Sequence, residues 1–154
     1  MNRYSFNRIQ RGAAAVEFAL LLPIFLAILT VPLLTARCLW HYTAAQKAAF
    51  DAARYLSGIS AQEMREPALA MAAADIAKEI IETEIEALRP GGNYDIAVEI
   101  QCGDNQCRGV RSGTLPDTVT VGVSMNMYDQ IFGLSTGRYG VPIEARYEMR
   151  YVGR

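Results

Sequence analysis

A single carboxylate, Glu17, stands inside an otherwise apolar run, and two cysteines, Cys102 and Cys107, bracket the turn-forming tetrapeptide Gly103-Asp104-Asn105-Gln106. With Cys38 and the one histidine, His41, these are the side chains whose type and placement could do chemistry. An unpaired carboxylate in lipid is costly, so Glu17 requires a partner, neutralisation or access to water. The cysteine pair reads as a disulfide closing a small loop in an oxidising compartment. Its alternative is a metal site, but a four-ligand zinc site needs partners that the chain does not obviously supply, since His41 and Cys38 both lie next to the apolar run. Cys38 reads as a small apolar residue, and His41, beside Trp40, as an interfacial side chain rather than a general base. No G-x-S-x-G, P-loop or H-E-x-x-H pattern occurs. The expectation is therefore no enzyme, no metal and no cofactor.

The element that must hold Glu17 is an apolar helix. The longest uncharged run, Phe18 to Ala36, has nineteen residues, and a helix of that length spans about 28 Å, close to a bilayer core. Arg3, Arg8 and Arg11 precede it without any Asp or Glu, which predicts an N-in, C-out single pass. Removing these three arginines from the net charge of −1 leaves −4 for residues 13–154, so no basic surface is available for nucleic acid. A discarded secretory signal fits poorly, because the run is long and Leu34-Thr35-Ala36 lacks a small-x-small cleavage pattern. Pro23 and Pro32 interrupt the helix and are expected to kink it. Arg37, Trp40, His41 and Tyr42 stand where an interfacial belt belongs. Leu39, Tyr42, Ala45, Ala49, Ala52 and Leu56 continue helical spacing to a stop at Gly58.

Beyond the anchor, Ser60-Ala61-Gln62-Glu63 has the form of a capping box. From Pro67 onward Leu69, Ala73, Ile76, Ile80, Ile85 and Leu88 approximate one apolar stripe, and Arg89-Pro90-Gly91-Gly92 ends the helix. The period then changes to two. Tyr94 to Cys102, Thr118 to Met127 and Ile143 to Tyr151 alternate apolar with polar residues, which predicts three half-buried strands. Leu134 to Gly140 reads as the connection between the last two. The expected fold is α+β: a long N-terminal transmembrane helix continuing into a small exported domain, with a second helix packed on a roughly three-stranded antiparallel sheet.

The segment "RGAAAVEFALLLP" resembles the processing site of the type IV pilin superfamily, its Tad branch in particular: a short basic leader, Gly12, four small or apolar residues, then Glu17-Phe18. "RCLWHYTAAQKAAFDAARYLS" is similar to TadE-like minor pseudopilins, and the last two strands more loosely to TadE-like and TadG-like proteins. The resemblance implies cleavage by a prepilin peptidase between Gly12 and Ala13. Glu17 then becomes the fifth residue of the mature chain, and Glu17 and Phe18 serve assembly and registration. It implies a leader at 1–12, an anchor and extended helix at 13–57 and an exported domain at 58–154. The implied partners are the peptidase, other pilins or pseudopilins, the Tad inner-membrane assembly platform and membrane lipid. The role expected is pilus assembly or priming, with the exported domain in the periplasm or outside. An uncleaved membrane-anchored envelope binding module is the alternative.

Overall fold

The computed structural model describes residues 6–87, 96–107, 115–129 and 139–153, with side chains described from Gly12 onward. The element order is α1 (Phe6–Ser57), α2 (Ala61–Arg65), α3 (Pro67–Glu86), β1 (Ala97–Cys102), β2 (Asn105–Gln106), β3 (Thr118–Met127) and β4 (Val141–Arg150). The chain divides into two compact units, 1–37 and 38–154, and α1 contributes residues to both. The α+β class is as expected.

In the first unit α1 remains helical through Pro23 and Pro32. The hydroxyls of Thr30 and Thr35 donate to the carbonyls of Leu26 and Val31, at 2.8 and 2.9 Å. The two hydroxyls inside the apolar run are thus satisfied by their own helix.

In the second unit the C-terminal part of α1 presents Ala45, Ala48, Ala49, Ala52, Ala53 and Leu56 to a single core. α3 adds Ala73, Ala77, Ile81 and Ile85, and the sheet adds Val119, Val121, Val123, Met125, Met127, Ile143 and Ala145. Most of the alanines come from the helices, which also supply the large side chains of Leu56, Ile81 and Ile85. The sheet is antiparallel in the order β2-β1-β3-β4. β3 pairs along its whole length with β4, from Thr118↔Arg150 to Met127↔Val141. Just before β4, Gly140 adopts φ +72°, and a Cβ there would stand 2.7 Å from the Met127 carbonyl oxygen. Only glycine fits that approach.

Ser60 caps α2 as the sequence indicates: its hydroxyl accepts from the Glu63 N–H at 3.2 Å, and Glu63 Oε2 accepts from the Ser60 N–H at 2.8 Å. Three expectations change in detail. The apolar stripe of α3 is rotated: Ala70, Ala73, Ala77, Ile81 and Ile85 are buried, whereas Leu69 and Ile76 are exposed. On α1 the buried face starts at His41, and Leu39 and Tyr42 are exposed. A fourth strand, β2, completes a hairpin with β1. Leu88, the Arg89-Pro90-Gly91-Gly92 stop, Tyr94 and most of the Leu134–Gly140 connection lie outside the described residues.

Candidate processing and assembly segment

Gly12, Ala13, Glu17 and Phe18 all lie within α1. Gly12 has neither a positive φ nor a close neighbour: a Cβ built on it would meet nothing within 4 Å. Glycine inside a helix costs roughly 0.5–1 kcal/mol relative to alanine. The fold therefore gives no reason for glycine at this position.

Glu17 is exposed, and so are the apolar side chains after it, Phe18 at 65% and Leu20 at 68% among them. The apolar segment of α1 is long enough to cross a membrane, and none of its most apolar stretch is buried within the chain. An apolar surface this extensive on one helix needs lipid or other helices around it. In sequence Glu17 stands between the apolar Val16 and Phe18.

Trp40 and Tyr42 are exposed, as residues of an interfacial belt are. His41 is not in that belt. It is 3% exposed and shares a helix face with Ala45, Ala48 and Ala52, so its imidazole belongs to the interior of the second unit. Cys38 is a free, half-buried thiol packed against the core.

Cys102 and Cys107 form a disulfide, with their Cα atoms 4.8 Å apart. The β1–β2 hairpin creates this proximity: Cys102 pairs with Asn105 across the turn at Gly103 and Asp104, and the Cys107 N–H donates to the Ile100 carbonyl at 3.2 Å. The bond pins a turn and leaves distant parts of the chain unconnected.

The sequence reading missed a charged cluster on the surface of the second unit. Lys47 donates to Asp51 Oδ2 and Glu84 Oε1, each at 2.8 Å, tying α1 to α3. These bonds, Asp51 first, push the Lys47 ammonium above its ordinary range, and Lys47 holds the Asp51 carboxyl below its own. The i,i+4 spacing of Lys47 and Asp51 was a usable signal; the contact with Glu84 was not. On the outer face of the sheet an open hollow lies over Gly122, lined by Glu99, Ser124, Glu144 and Arg146. It holds no buried nucleophile or titratable group.

The described residues make an α+β fold with one helix long and apolar enough to cross a membrane and a short-loop disulfide in the second unit. Residues 12–54 match the family described as TadE-like protein, a likeness confined to that segment. No curated protein and no solved structure matches the chain.

Proposed function

We propose that this chain is a minor pseudopilin of a Tad pilus system, inserted N-in as a precursor, cut by a prepilin peptidase between Gly12 and Ala13, and used in pilus assembly or priming. Gly12 carries the reading. It lies at the edge of the TadE-like match, five residues before the lone intramembrane acid, in a helix whose own packing has no use for glycine. A residue that the fold does not need is accounted for by a protease that must approach the backbone closely there.

On this reading residues 1–12 are a leader, 13–57 the anchor and extended helix, and 58–154 the exported domain. The chain is a peptidase's substrate and does no chemistry of its own. Cleavage creates an ammonium at Ala13, one helical turn from Glu17. In an assembly, the Glu17 carboxylate of one subunit pairs with the Ala13 ammonium of its neighbour, another pilin or pseudopilin. Desolvation offsets much of the attraction in such a pair, so its contribution is to fix register more than to stabilise. The Cys102–Cys107 disulfide supports placing the second unit outside the cytoplasm, where thiols are oxidised.

The test is the intact mass of the chain from cells with an active prepilin peptidase. The expected mature protein begins at Ala13, and Gly12→Leu abolishes that species. A chain that still begins at Met1 would overturn the pseudopilin reading in favour of an uncut envelope binding module.

A further inference from the structure

β4 is the open edge of the sheet, and its exposed side chains alternate in sign: Glu144, Arg146, Glu148, Arg150. Within the fold this alternation meets no charge across the β3 ladder, where the same residues face Ser124, Gly122, Thr120 and Thr118. Arg146 alone has a polar partner, donating to Gln101 Oε1 at 3.0 Å. Edge strands are templates for further pairing, and opposite charges set directly across a strand pair favour it.

The backbone determines which pairings are open. Tyr151 donates its N–H to the Asp117 carbonyl, extending the β3 ladder, so odd-numbered residues of β4 turn their backbone groups toward β3. Even-numbered residues turn theirs outward, and Val152, the next of them, donates outward to the Ser57 carbonyl. Pro142, at the other end, has no N–H to give. Between these two ends, among the described residues, the outward backbone groups of Glu144, Arg146, Glu148 and Arg150 pair with nothing.

We propose that β4 is a homotypic interface: two copies of the chain join their β4 edges antiparallel, with the two-fold axis at Tyr147, into one continuous sheet. In this register every outward residue meets its opposite charge, Glu144 against Arg150 of the second copy and Arg146 against Glu148. On the inner face Ala145 meets Met149, and the two Tyr147 side chains meet at the axis. Moving the axis to residue 146 or 148 sets Glu against Glu and Arg against Arg, which is unfavourable. The charge pattern therefore selects both the partner and the register. A single strand edge is a small interface, and confining both copies to one membrane raises their effective concentration.

The interface does not depend on cleavage at Gly12, and the test uses the full chain in native membranes. Two differently tagged copies, both in a Cys38→Ser background, carry Arg146→Cys and Glu148→Cys respectively. The expected result is a mixed-tag disulfide dimer. A pair of Glu144→Cys copies gives none, because those residues lie six positions from direct opposition, about 20 Å. With the same reporter placed at Glu144→Cys and Arg150→Cys, Arg146→Glu cuts the mixed dimer at least about fivefold, since one substitution spoils two symmetry-related pairs. Arg146→Glu combined with Glu148→Arg restores it. Equal crosslinking in all registers, no crosslinking, or a double variant as poor as the single would overturn the proposal and leave the alternating charges as a device that keeps the edge solvated.

Discussion

Gly140 is explained by what lies inside the chain, whereas the roles proposed for Gly12 and Glu17 depend on partners outside it. If Glu17 answers a neighbour's ammonium, Glu17→Ala leaves the chain cleavable and reduces piliation. Immunoblotting for the processed form and electron microscopy of the cells read the two effects separately, and normal piliation with the variant would remove the pairing. Gly140→Ala places a methyl against the Met127 carbonyl at a positive φ. A loss of roughly 1–3 kcal/mol is expected on denaturant unfolding, the range for a non-glycine residue held in a strained conformation. The signal that singles out Gly12 and Glu17 is local, a glycine and an acid at fixed spacing beside an apolar run, and the proposed roles of both rest on it. Gly140 was not legible in the sequence, because its φ is dictated by where β3 and β4 meet.

Among the elements, the capping box at Ser60 was readable from four residues, and its pH response follows from its geometry. Bonds from the Ser60 hydroxyl and then the Ser60 backbone N–H hold the Glu63 carboxyl below its ordinary value. A lowered carboxylate contributes stability above its ordinary value of about 4.3, and that contribution is lost as the pH falls through the lowered one. Glu63→Gln is therefore expected to flatten the acid side of the stability profile, measured by thermal melts across acid pH. The strands were legible because period two survives in β3 and β4 over ten residues each. β2, with two residues, is too short to show any period. The face of α3 was misjudged because Leu69 and Ile76 outweigh alanine on any hydrophobic scale, while the core accepts Ala70, Ala73 and Ala77. Tertiary packing decides between such faces, and a helix rich in alanine carries too little contrast to announce the result. The rotation leaves Leu69, Met71 and Ile76 exposed.

For the whole molecule, the exposed apolar side chains from Val16 to Leu33 predict that the protein stays in the membrane fraction after alkaline carbonate washing and is released only by detergent. Release by carbonate would contradict a spanning helix. The last residues of the described chain are bound to the end of the first helix: the Val152 N–H donates to the Ser57 carbonyl at 3.0 Å, and the Tyr151 hydroxyl to the Ile59 carbonyl at 2.9 Å. This closure sets the order of events during synthesis. The alanine face of α1 emerges early, but β3 and β4, which supply the strand residues of the same core, begin more than 60 residues after Leu56, and the bonds that close the end of α1 come later still. Contacts this distant in sequence form late. The second unit therefore completes its folding only once Tyr151 and Val152 have been made. Until they arrive, part of the alanine face of α1 stays uncovered, the kind of transient apolar exposure that chaperones act on.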